Sequence, residues 1–117
     1  MSLLQETAVL APIEIWSVPF DEHRTIKFHE PLILTPTWMP DDPDEPREPD
    51  EPEYMDIICP ELNIDVYADN IDDLVDFVRN NIRLAWKHIV LKDDSDLNAV
   101  CRSIKRNHLA IAEVIDA

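Results

Sequence analysis

Glycine is absent from all 117 residues, where ordinary usage would supply about 7%. Glycine is what lets a backbone pass close to a phosphate or take a strained strand-to-helix turn. Its absence excludes P-loops, glycine-rich dinucleotide fingerprints and nucleophile elbows together. Left-handed turn positions must then fall to Asn or Asp, the next most tolerant residues. Cysteine is scarce as well. Cys59 and Cys101 are the only two, too few for a disulfide framework. Of the four histidines, His23, His29, His88 and His108, none stands three to five residues from another His or Cys, the spacing of a structural zinc site.

Basic residues are few. Ten Lys and Arg face 25 Asp and Glu, a net charge of −15. That balance argues against direct nucleic-acid binding through a basic footprint and against an anionic membrane surface. It favours a positively charged partner, beside the plainer reading that acidity keeps the chain soluble. No apolar run approaches the roughly 20 residues of a membrane span. Residues 1–20 lack a basic start and carry Glu6 and Glu14, so no secretory leader is expected and the default is a cytoplasmic protein.

What is present suffices for one domain over residues 1–117. Hydrophobic residues make up 45%, ordinary for a globular protein. Residues 12–18 are rich in β-formers and read as a strand, with Pro12 and Pro19 placing it at a sheet edge. Asp21-Glu22-His23-Arg24 reads as a polar turn. Residues 25–36 read as a second strand that closes a hairpin, with Ile26 and Phe28 alternating against Lys27 and His29. Tyr54–Cys59 is a third strand stopped by Pro60, and the alternating stretch 63–68 pairs back as a fourth.

Between the second and third strands lies PDDPDEPREPDEPE, residues 40–53. Pro40, Pro43, Pro46, Pro49 and Pro52 recur every third residue, the period of a polyproline II helix. Asp41, Asp42, Asp44, Glu45, Glu48, Asp50, Glu51 and Glu53 stand between them with Arg47 as the one base. Nearly half of the excess negative charge sits here: −7 in this arm, −3 in residues 1–39 and −5 in residues 54–117. Without apolar side chains beyond proline the arm cannot offset the entropy of packing. It reads either as a solvated linker or as an acidic prong for a basic surface, with Trp38 at its root either a candidate interface anchor or a residue packed against the domain edge.

Asn70 is a good helix N-cap, with Asp73 three residues on. Apolar residues at 71, 74, 75, 78, 82, 85, 86 and 89 share one face and predict an amphipathic helix over 71–91. Asp72, Asp73 and Asp76 at its start and Arg79, Arg83 and Lys87 towards its end complement the helix dipole. After the polar break Asp93-Asp94-Ser95-Asp96, residues Leu97, Val100, Cys101, Ile104, His108, Ile111 and Ile115 predict a second helix over 97–115, capped by Asp96 or Asn98. The expected fold is α+β: a small antiparallel sheet of three to four strands with both helices packed on one face. Trp16 and Trp86 are expected in the core. His108, on the apolar stripe, is expected as a hydrogen-bonded packing residue.

No constellation carries catalysis. Asp93, Asp94, Asp96 and Asn98 look like a calcium loop, but such a loop needs a central glycine and a Glu at its twelfth position, and Ile104 or Lys105 stands there. Asp72, Asp73 and Asp76 are explained by helix-start electrostatics. Cys59 has no nameable base or cation to lower its pKa, as a nucleophile requires. The chain is expected to be no enzyme and to need no metal or cofactor; a metal-dependent enzyme ranks last among the readings.

Cys59-Pro60-Glu61-Leu62, followed by Ile64-Asp65-Val66-Tyr67-Ala68-Asp69-Asn70-Ile71-Asp72-Asp73-Leu74, resembles the HicB-like antitoxin family. That family shows a strand ending in Pro-Glu-Leu, a short second strand, and a turn entering a helix through Thr-x-Glu-Glu-Ala. Pro60, Glu61 and Leu62 match directly, and Asp72, Asp73 and Leu74 stand where the family has Glu-Glu-Ala. Asn63-Ile64 replaces the family's Pro-Gly, and Asp69-Asn70-Ile71 its Gly-Asp-Thr. The likeness spans about 30 residues. It implies a small sheet crossed by one helix and a module that binds and blocks a small basic mRNA-cleaving toxin. The family often adds a DNA-binding segment, of which this chain shows no sign. The functional expectation is a non-enzymatic module that sequesters a basic protein through Trp38 and the acids of the arm. The alternative is a homodimeric structural domain joined through an exposed strand edge.

Overall fold

The structure, a computed structural model, describes residues 11–39 and 54–116. The extended form expected for the 40–53 arm lies outside the described residues. Strands β1 (Ile13–Pro19) and β2 (Arg24–Leu34) form the expected antiparallel hairpin. In its turn Asp21 Oδ1 accepts the His23 backbone N–H at 2.8 Å and Asp21 Oδ2 accepts Arg24 Nε at 3.0 Å. An Asp that bonds backbone two residues on makes the turn locally favourable. These two donors hold the Asp21 carboxyl below its usual range.

The hairpin ladder slips once. Ile15 faces Leu32, yet Ser17 faces Lys27. The surplus lies on β2 and contains Pro31, which has no N–H for a ladder. The slip changes the phase of β1, so that Ile13, Ile15 and Val18 are buried while Trp16 is 60% exposed. Trp16 was expected in the core; it instead alternates with buried Ile13 and Ile15 and faces outward, and the phase changes only after it, at Val18.

At Thr35-Pro36 the chain leaves β2 and restarts as the short strand β3 (Thr37–Met39). β3 pairs with β4 (Tyr54–Cys59), and β4 pairs with β5 (Ile64–Ala68). The α+β class is as expected, with the strands divided between two three-stranded antiparallel sheets, ordered β1-β2-β6 and β3-β4-β5. β6 (Ala112–Asp116) falls where the second helix was expected to continue. Helix α2 covers Ala99–Ile111 and ends directly in the extended backbone of Ala112, with no left-handed cap. Two periodicities compete there: Ile111 and Ile115 fit a helix, whereas Ala112 and Val114 alternate as a strand. The strand prevails because β2 offers an open edge, and Ala112 and Val114 pair with Phe28 and Ile26.

Helix α1 (Ile71–Ala85) starts at Asn70, whose Oδ1 accepts the Asp73 backbone N–H at 2.8 Å while its Nδ2 donates to Asp73 Oδ2 at 3.0 Å. It runs on as a π turn, Trp86–Val90, in which the Leu91 N–H reaches back five residues to the Trp86 carbonyl at 3.0 Å. Asn98, not Asp96, caps α2, its Oδ1 accepting the Cys101 N–H at 2.8 Å. One core joins the parts. Leu74, Val78, Ile82, Trp86 and Val90 of the long helix pack with Ile15, Ile26 and Phe28 of the first sheet and Met55, Ile57, Ile64 and Val66 of the second. Each such side chain contributes about 1.5–3 kcal/mol by leaving water.

α2 docks through hydrogen bonds rather than apolar area alone. The 3-10 turn Pro60–Leu62 presents two carbonyls to it. Asn107 Nδ2 donates to the Glu61 oxygen at 2.9 Å, and His108 Nε2 lies 2.8 Å from the Leu62 oxygen. A carbonyl only accepts, so Nε2 carries the proton. The turn closes at Asn63, whose N–H donates to the Pro60 oxygen at 3.0 Å and whose φ of 60° is the one positive value among the described residues. Here the missing glycine is answered by Asn. Asn63→Gly is therefore expected to leave stability nearly unchanged, whereas Asn63→Ala, whose Cβ resists the left-handed region, costs about 1 kcal/mol. Chemical denaturation of the two variants side by side checks the difference.

Candidate partner-binding face

The second sheet has one covered face and one open face. Met55, Ile57, Ile64, Val66 and Ala68 point inward and are buried, with α1 lying against β5. Strand pleating sends the alternate residues to the opposite side. Tyr54, Asp56 and Ile58 on β4 and Asp65 and Tyr67 on β5 form that outer face. Ile58 is 60% exposed and Tyr67 68%. In the ladder Asp56 stands opposite Tyr67 and Ile58 opposite Asp65, while Thr37 flanks Asp56 from β3. The Tyr54 and Tyr67 rings meet on the diagonal, centroids 5.6 Å apart and planes tilted by 60°, within the range of a favourable aromatic pair.

The electrostatics of this face follow from its two carboxylates. Asp56 is partly buried, and that burial first, then the negative charge of Asp65, holds its carboxyl above the usual value. Two like charges on a half-apolar surface are a standing cost. A cation placed beside them would remove that repulsion. Its acids are otherwise unengaged in ion pairs among the described residues.

Of the residues nominated from sequence, Trp38 alone is described. It sits on β3 opposite Met55, half-buried and packed against the core. Asp41, Asp42, Asp44, Glu45, Glu48, Asp50, Glu51 and Glu53 lie outside the described residues. The strand ends that flank their arm are placed: Met39 pairs with Tyr54 where β3 ends and β4 begins. The face itself was missed by sequence reasoning, which read β4 and β5 for what they bury. The signal was available, because Ile58 and Tyr67 are large apolar residues on the wrong phase of their strands.

The other candidates have structural roles. The Cys59 thiol lies 3.4 Å from Glu61 Oε2, and burial, then that carboxylate, push its pKa up, the reverse of what a nucleophile needs. Asp94 pairs with Lys105 at 2.8 Å, which tethers the interhelical turn to α2 and holds the carboxyl below its usual range. Among the described residues no three His, Cys, Asp or Glu side chains converge as a metal site, and no helix is long and apolar enough to cross a membrane. No protein-family model matches the chain, and neither does any curated protein or solved structure.

Proposed function

We propose that this chain is a non-enzymatic binding module that takes a small basic protein on the outer face of β3-β4-β5, as HicB-like antitoxins take their toxins, in a cytoplasmic setting. The observation that carries the reading is the Asp56–Asp65 pair set among Tyr54, Ile58 and Tyr67 on an uncovered sheet face. Buried aromatic anchors dominate binding energy, and charged groups steer encounter. The face supplies the first and, with the −7 arm between β3 and β4 in the sequence, the second. The Pro60-Glu61-Leu62 likeness adds support of a different kind. A homodimer is the second reading, favoured by Trp16 standing exposed on β1, an edge strand of its sheet; edges and exposed aromatics invite self-pairing.

The test captures partners from native lysate on immobilised full-length chain, on Tyr67→Ala, and on a chain lacking residues 41–53. A small basic protein is expected on the full-length chain. Tyr67→Ala is expected to weaken it at least tenfold, the loss of one anchor. Deleting the arm is expected to slow association and flatten its salt dependence, because charge steering is screened beyond about 8 Å at physiological ionic strength. Capture that ignores Tyr67 would remove the outer face from the reading. No capture, together with a dimer in sedimentation, would replace it by self-association.

A further inference from the structure

At the end of the long helix the sign of the charge reverses. The β1–β2 turn and the end of the long helix enclose a groove of about 400 Å³, lined by Phe20, Asp21, Arg24, Arg83, Lys87 and Leu91. Three of the chain's ten basic residues converge there from two separate elements, with Asp21 as the one carboxylate among the described lining residues. We propose that this groove binds a small phosphorylated compound through Arg24, Arg83 and Lys87.

Arg24 is already held in place. Its guanidinium stacks 4.8 Å from the centroid of the Phe20 ring, while Asp21 takes its Nε at 3.0 Å and its Nη2 at 2.8 Å. A cation over an aromatic face, fixed at one edge by a carboxylate, has little freedom left to lose on binding. The remaining guanidinium N–H groups keep the donor geometry that suits an oxyanion. Arg83 is half-buried and oriented by Asn80, whose Oδ1 accepts from its Nη2 at 2.9 Å. Lys87 follows one helical turn later, and it and Leu91 reach the groove from the π turn and its cap. Such turns recur at functional sites because they displace side chains from the regular helical phase.

Asp21 offsets one of the three positive charges, which leaves a local excess of two, matched to a phosphate monoester near neutral pH. The net −15 does not cancel this locally: at physiological ionic strength exposed charges farther than about 8 Å are largely screened. Phe20 and Leu91 add an apolar wall, and the volume lies within the range of small-molecule sites. A phosphate carried on an aromatic or aliphatic group therefore fits better than free phosphate.

The experiment titrates the full-length chain with inorganic phosphate and with phenyl phosphate, followed by calorimetry and by ³¹P line width, against sodium chloride at equal ionic strength. Saturable binding of both is expected, with phenyl phosphate the tighter. Lys87→Gln, at an exposed position, and Arg83→Gln are each expected to weaken it about tenfold, the loss of one charge-assisted hydrogen bond, with Tm in the absence of probe nearly unchanged for Lys87→Gln. Binding that sodium chloride reproduces, that Lys87→Gln leaves intact, or that is absent would overturn the proposal. So would binding that emerges only when residues 41–53 are deleted, since the chain's own carboxylates would then be the occupant.

Discussion

Trp86→Ala is expected to cost about 3–5 kcal/mol of folding stability, the loss typical of an aromatic side chain cut from a core. Trp86 is 1% exposed, the largest fully buried side chain among the described residues. It stands where the regular part of the long helix gives way to the π turn, in the core cluster shared by both sheets, and meets the His108 ring of α2 edge-on at 6.2 Å. Its removal leaves a cavity at the junction of the two helices. Whole domains are stable by only about 5–15 kcal/mol, so the variant is expected to populate unfolded chains at modest urea concentrations.

Trp86→Phe separates packing from polarity. The indole Nε1–H is buried without a hydrogen-bond partner among the described residues, and an unmet buried donor is itself destabilising. Phenylalanine keeps most of the ring and discards that donor. Its expected cost is about 1 kcal/mol or less, far below that of alanine. Urea denaturation followed by circular dichroism measures both, since Trp16 and Trp38 would confuse fluorescence. Equal losses for the two variants would mean that the indole nitrogen, not the volume, is what the site requires.

How much of this was legible in advance depends on which force decided each element. The helix α1 was readable because its apolar stripe, its Asn70 cap and its charge order all point the same way. Strand β4 was readable because Pro60 ends it. Asn63 was foreseeable in kind, though not in place, from the missing glycine. β6 was not readable, because Ala112 to Asp116 has no preference strong enough to outvote the helical spacing before it; an open edge of β2, far away in sequence, settled it. The exposure of Trp16 was masked by a mixed pattern, since Ile13 and Ile15 set one phase of β1 and Val18 the other, and a single strand does not announce the register slip between them. The candidate site followed this pattern. Its wrong-phase residues Ile58 and Tyr67 stood in the sequence, but they become one surface with Asp56 and Asp65 only once β4 and β5 are paired and α1 is seen to cover the other side.

Acidification is expected to weaken the fold through His108. The imidazole is 0% exposed, and burial holds its pKa below the ordinary value of 6.5, outweighing the Leu62 carbonyl, which pulls the other way. Nε2 donates to that carbonyl, and Nδ1 is buried without a partner among the described residues, so a second proton would have to sit in apolar surroundings beside the Trp86 ring. The unfolded chain binds that proton more readily than the folded one. His108 therefore contributes stability that is complete above about pH 6.5 and is lost as pH falls through the folded value, at up to about 1.4 kcal/mol per pH unit for a single proton. Asp21 and Asp94, whose carboxyls are held below the usual range, lose their contributions only at more acidic pH, below about 4. Asp56 acts in the opposite sense, because its raised pKa makes protonation easier in the fold. A decline in urea midpoint from pH 7 to about pH 5.5 would thus belong to His108. His108→Gln tests the assignment: its amide can still donate to the Leu62 carbonyl but does not titrate. That variant is expected to be less stable than the parent at pH 7 and to lose most of the slope below it. A slope that survives the substitution would place the proton elsewhere and leave His108 as a packing residue alone.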